Sequence, residues 1–170
     1  MDPRIVEKAK RVRMIIMDVD GVLTSGQILY GGGGLELLAF DVKDGFAIVA
    51  AHRMGLLTAL VTGRASEALA RRAKELGITE VRQGCVDKLK AYGEILAHYG
   101  LSDEAVAYIG DDLPDLPILA RAGLKVAVAN SPEEVKVKAD YVTVKEGGRG
   151  AVRETIELIL RAQGLWDQVQ

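Results

Sequence analysis

The stretch "MIIMDVDGVLTSG", Met14 to Gly26, decides the fold: a continuous apolar run ends on two acids one residue apart and then on glycine. A short apolar run without polar alternation reads as a strand covered on both faces, as parallel strands are. Residues i and i+2 of an extended segment face the same side roughly 6.5–7 Å apart, so Asp18 and Asp20 can bracket one reacting group. Two buried anions so placed repel each other. The arrangement makes sense when a cation is shared or one acid stays protonated.

Outward from this stretch, short apolar or β-branched runs alternate with helical patterns, which predicts an α/β fold with a doubly wound, mainly parallel sheet. Strands are expected at 14–19, 56–62, 80–84, 106–111, 125–130 and 141–144, and helices near 45–54, 66–76, 87–99, 113–122, 132–138 and 150–163. Ser66 reads as the cap of "SEALARRAKEL", with Leu69, Ala73 and Leu76 on one face and Gly77 after the last turn. Ser131 before Pro132 and Glu134 reads likewise as a capped start. The glycine run 31–34 separates "SGQILY" from "LELLAFDV", which predicts a β-hairpin insertion over 24–42. An insertion of that size cannot build a lid with its own core, so cover for a site must be short or come from another subunit.

The 170 residues, 49% hydrophobic and 27% charged, suit one domain over 1–170. A formal net charge of −2, with Lys and Arg scattered, offers no footprint for nucleic acid or an anionic membrane. No run has signal-peptide or membrane-spanning length, which predicts a cytoplasmic protein. The single cysteine, Cys85, excludes an intrachain disulfide framework and reads as a bystander thiol.

In a doubly wound sheet, ligands bind at the carboxyl ends of the strands, and the notable polar groups all fall there. Asp18 and Asp20 end the first strand, Thr62-Gly63-Arg64 the second, Lys88 follows the third, and "GDDLPDLP" (110–117) ends the fourth with Asp111, Asp112 and Asp115. So many carboxylates against Lys88 and Arg64 call for a divalent metal. Oxygen ligands without His or Cys point to Mg²⁺, which usually keeps room for a substrate phosphate. A carboxylate attacking a phosphate meets roughly 4 kcal/mol of repulsion per unit-charge pair at about 4 Å and an effective dielectric near 20. Mg²⁺ and a lysine relieve it, and Thr62 with backbone N–H groups can hold the phosphoryl oxygens. Asp18 then reads as a nucleophile and Asp20 as the acid/base. A receiver-type signalling module also combines acids, threonine and lysine, but takes its phosphoryl group on a later strand.

In order and spacing, "DVDGVLT", "VTGR", "DKL" and "GDDLPD" resemble the four signature motifs of the haloacid dehalogenase superfamily of aspartate-dependent phosphatases. Within it, "DGVLTSG", "FDVKDG", "VTGRAS", "QGCVDKL", "YIGDDLPDLP" and "GGRGAVRE" resemble the capless branch of 3-deoxy-D-manno-octulosonate (KDO) 8-phosphate phosphatases. The resemblance implies a Mg²⁺-dependent phosphomonoesterase working through an aspartyl phosphate. Its metal ligands would be Asp18, Asp111 and the backbone carbonyl of Asp20. Lys88 and Thr62 would bind the transferring group, while Asp112 and Asp115 hold metal waters and Lys88. It further implies substrate contacts from the 41–45 loop (Asp44, Gly45), Arg64 and Arg72, and a homotetramer, built through the hairpins, in which a neighbouring subunit covers the site. The expected substrate is a small phosphorylated sugar acid, KDO 8-phosphate first and other sugar or sialic-type 9-phosphates next. Ala47 and Val49 stand where the family commonly has a glycine and a basic residue; Arg53 is the next cation along. Asp44 also reads as a helix N-cap, and "GGRG" (147–150) as a turn or an element near the site.

Overall fold

The computed structural model describes residues 2–169. Its main sheet has six strands, β1 (Met14–Met17), β4 (Leu57–Val61), β5 (Glu80–Arg82), β6 (Val106–Gly110), β7 (Leu124–Ala127) and β8 (Tyr141–Val142), ordered β5-β4-β1-β6-β7-β8. All its pairings are parallel. The chain winds outward from β1 to β4 and β5, then crosses to β6 on the other flank of β1. That reversal opens a crevice at the carboxyl ends of β1 and β6.

Alternation along the strands divides the core in two. Ile15, Met17, Leu60, Ala107 and Ile109 face one layer, made by α1 (Pro3–Arg11), α2 (Val42–Arg53), α3 (Glu67–Leu76) and α7 (Ala151–Ala162). Met14, Ile16, Ala59, Val61, Val106 and Tyr108 face the other, made by α4 (Lys88–Tyr99), α5 (Leu116–Leu119) and α6 (Glu133–Lys136). Each fully buried Ile or Met contributes about 1.5–3 kcal/mol, and a one-residue slip of β1 would exchange its two faces.

Several local expectations need correction. Helix α1 has no counterpart among the helices read from sequence, although Asp2 caps it through the Arg4 N–H and proline stands in its first turn. Ser66 caps α3 and Gly77 ends it at φ 74°, as read. Ser131 does not cap α6: the residue before that helix is Pro132, and the buried Ser131 hydroxyl has no hydrogen-bond partner among the described residues. The hairpin strands shrink to β2 (Leu29–Tyr30) and β3 (Glu36–Leu37), paired antiparallel and separate from the main sheet. Helix α2 begins earlier than read, so its cap is Asp41, which accepts from the Lys43 N–H, and not Asp44. Arg53, at the far end of α2 where the chain enters β4, lies toward the amino ends of the strands, opposite the carboxyl ends that carry the acids.

Candidate active site

Strand β1 delivers Asp18 to the crevice, where its N–H donates to the Ile109 carbonyl at 3.0 Å and its side chain is buried. The chain then turns sharply, with the N–H groups of Val22, Leu23 and Thr24 all donating to the Val19 carbonyl. Gly21 (φ +91°) is required here: a Cβ on it would lie 2.0 Å from Asp111 Oδ2. A neighbouring turn closes over this one, since a Cβ on Gly147 would meet the Gly21 carbonyl oxygen at 1.6 Å, and the Gly148 N–H donates to Val22 O at 2.8 Å. "GGRG" is therefore a close-packed brace on the loop that carries Asp20.

Lys88, the first residue of α4, lies between two acids, with Nζ 3.0 Å from Asp18 Oδ1 and 2.8 Å from Asp115 Oδ1. Asp115 Oδ1 also accepts from Tyr108 OH at 2.7 Å, while Oδ2 accepts from the Asp111 and Asp112 N–H groups at 2.9 and 3.3 Å. Asp115 is thus saturated with donors and acts as a strut for Lys88 and the Asp111 turn. Asp112 is exposed and caps the following turn through the Leu113 N–H. Tyr108 was not read as a site residue; a tyrosine in "YIGDD" on an otherwise apolar strand is the signal that could have found it. Burial among the acids raises its pKa, so it remains a donor.

One carboxylate oxygen from each of Asp18, Asp111 and Asp115 lies within 4.8 Å of the others. Burial, then repulsion from Asp115, raises the Asp18 pKa to about 6 against the pull of Lys88. Burial, then Asp18 and Asp115, raises Asp111 to about 8. For Lys88, attraction by Asp18 and Asp115 outweighs desolvation and raises its pKa, so the ammonium stays charged. One lysine does not balance this basin. With Asp115 saturated, Asp18 and Asp111 are left to hold a cation, and no hydrogen bond among the described residues occupies the Asp20 carbonyl. A hard, all-oxygen donor set of this kind fits Mg²⁺.

The Asp20 carboxylate is outside that trio, 3.6 Å from Arg64 Nη1. Asp18, Asp20, Thr62, Arg64 and Lys88 line one cavity of about 710 Å³, joined by Cys85, Val86 and Pro114. Asp44, Gly45 and Arg72 do not line it. Asp44 is buried and accepts from the Gly150 and Arg153 N–H groups at 3.2 and 2.7 Å, so it caps α7, whose own cap residue is a glycine. In the structure Asp44 therefore stands as a helix cap away from this cavity. Gly45 makes room for Arg72, whose Nη2 would be 2.3 Å from a Cβ there, and the Arg72 guanidinium lies over Phe40.

Residues 74–155 match the model of a family described as haloacid dehalogenase-like hydrolase. The KDO 8-phosphate phosphatase of Salmonella typhimurium is 43% identical over 170 residues, covering all of this chain and 90% of that protein. The chain belongs to the haloacid dehalogenase-like hydrolases. The Yersinia pestis KDO 8-phosphate phosphatase is 48% identical over 159 residues, 94% of this chain and 85% of that one. Among solved structures, the Moraxella catarrhalis KDO 8-phosphate phosphatase, in complex with magnesium ion, phosphate ion and KDO, superposes with a TM-score of 0.96. It is 45% identical, and the match covers 99% of this chain and 97% of that one. For a haloacid dehalogenase-like hydrolase, this places the acid trio and Lys88 on a fold shared with a magnesium-bound relative.

Proposed function

We propose that this chain is a Mg²⁺-dependent phosphomonoesterase that hydrolyses KDO 8-phosphate to KDO and phosphate through an aspartyl phosphate. The observation that carries this reading is Lys88 held between Asp18 and Asp115 at 3.0 and 2.8 Å, on the rim of a cavity that also holds Asp20 and Thr62. Asp18, Asp111 and the Asp20 carbonyl would hold the magnesium ion, which would supply the positive charge that lets an anionic nucleophile approach an anionic ester. Asp18 attacks phosphorus, and the bond from phosphorus to the ester oxygen breaks as Asp20 gives that oxygen a proton. Asp20, now a carboxylate, takes a proton from water, which attacks the phosphoryl group and returns Asp18 to its free state. Lys88 and Thr62 hold the phosphoryl oxygens throughout.

Arg64 is the side chain assigned to the sugar acid's carboxylate, since a guanidinium matches a carboxylate in two-point geometry. No helix among the described residues is long and apolar enough to cross a membrane, in keeping with cytoplasmic work on a soluble precursor of lipopolysaccharide. The hairpin leaves Leu29 56%, Tyr30 75% and Leu37 51% exposed, which supports a homotetramer joined through it, with a neighbouring subunit covering the site. Phosphate release from a panel of sugar phosphates tests the substrate. The highest kcat/KM is expected on KDO 8-phosphate, then on a sialic-type 9-phosphate. Equal efficiency on sugar phosphates lacking a carboxylate would reject the sugar-acid assignment.

A further inference from the structure

Among the described residues, the polar side-chain link between the hairpin and the cavity is one ion pair, Glu36 on β3 with Arg64. Arg64 is held along its length: its N–H donates to Thr62 Oγ1 at 3.3 Å, Nη2 donates to Glu36 Oε2, and Nη1 lies 3.6 Å from Asp20 Oδ2. That Nη1 is buried and has no hydrogen-bond acceptor among the described residues. A buried donor left unmade carries an uncompensated desolvation cost, which an acceptor placed beside it would relieve. The other end of the guanidinium is anchored on a residue whose only contribution to the cavity is that anchor, because Glu36 does not line it.

We propose that Glu36 is a positioning residue for substrate binding. It fixes the Arg64 guanidinium so that Nη1 is presented to a second anionic group of the substrate. This rests on the assignment of Arg64 to the sugar-acid carboxylate. Glu36 does two things at once. It removes rotamer freedom that a free arginine would lose only on binding. It also balances the guanidinium charge from the side away from Asp20, so Arg64 is not drawn fully onto that carboxylate, which stands 3.6 Å from Nη1. Because Glu36 stands on β3, the packing of the hairpin reaches the cavity through this pair, and whatever orders the hairpin also orders Arg64.

The test compares KDO 8-phosphate with p-nitrophenyl phosphate, which has no carboxylate, on the full chain with Mg²⁺. Glu36→Ala should raise KM for KDO 8-phosphate about tenfold, with kcat within about twofold, as loss of one charge-assisted contact does. For p-nitrophenyl phosphate, KM should move by no more than about twofold. Glu36→Gln, which keeps an acceptor but not the charge, should recover part of the loss. In an Arg64→Ala background, Glu36→Ala should add less than about twofold, because the pair acts as a unit. Equal losses on both substrates, additive losses with Arg64→Ala, or a lower particle mass by light scattering would make Glu36 a structural strut and overturn the proposal. An Arg64→Ala variant with unchanged KM for KDO 8-phosphate would remove the Arg64 assignment itself. A loss there with Glu36→Ala silent would remove the positioning role alone.

Discussion

At the ends of β1 and β6, the carboxylate oxygens of Asp115 are each met within the chain by Lys88, Tyr108 or a backbone N–H, and Asp18, Tyr108 and Asp115 are buried. The hairpin of β2 and β3 is the reverse. Its strands are two residues each, Leu29 and Leu37 pair across it with their side chains exposed, and one ion pair ties it to the cavity. The first region holds its geometry on its own. The second is marginal as an isolated two-stranded unit and makes sense when another surface covers it. The acid basin and the hairpin are thus joined mainly through Glu36 and Arg64, so damage to the basin should leave the hairpin intact, while damage to the hairpin should reach the cavity only in part.

Asp18→Asn gives the largest effect. The amide is isosteric but is neither an effective nucleophile nor an anionic metal ligand, so phosphate release should fall by at least about 10⁴-fold. Light scattering should return the particle mass of the parent chain, because nothing in the hairpin changes. Residual turnover within about tenfold of the parent would remove Asp18 as nucleophile.

The difference between the regions also governs what the sequence discloses. Asp18, Thr62 and Asp111 are legible because each stands where an apolar run stops, and Lys88 because it opens the helix that follows β5; strand ends in a parallel sheet converge. Which layer each residue of β1, β4 and β6 faces is not legible, because all three strands are buried on both faces. Asp44 does cap a helix, but which one is not legible locally, because its partners Gly150 and Arg153 lie 106 and 109 residues away. Glu36 and Arg64 are 28 residues apart, on an insertion and a strand-end loop, and no periodicity links them. Ser131 fits a local cap pattern that the backbone around Pro132 does not use. Local chemistry is readable along the chain; pairings fixed by tertiary approach are not.

The hairpin is broken by charge. Leu29 and Leu37 are directly opposed, so their side chains share one face. Replacing both by lysine puts like charges on the proposed contact surface, and the particle mass should fall about fourfold, from tetramer to monomer. Activity should drop far less than with Asp18→Asn, by about tenfold in kcat/KM, through a looser Arg64 and a missing cover. A parent-sized particle would reject the hairpin as the assembly element.

The smallest effect concerns stability, and it sharpens the contrast because it arises in the basin alone. Asp18 and Asp111, with pKa values raised to about 6 and about 8 from a usual 3.8, keep protons in the folded chain that the unfolded chain has already lost. The unfolded state then binds fewer protons, so without metal this contribution to stability is lost as pH rises from about 4 toward 8. Mg²⁺ binds the ionised carboxylates and not the protonated ones, so it restores stability where the loss is greatest. In a chain of this size the added Mg²⁺ should raise Tm more at pH 8 than at pH 5, by on the order of 5 °C. Asp18→Asn should remove most of that difference, since it deletes one of the two charges, whereas the paired lysine substitutions in the hairpin should leave it intact. Equal Mg²⁺ shifts at both pH values would mean that the carboxylates are already ionised without metal, and that Lys88 is enough to hold them.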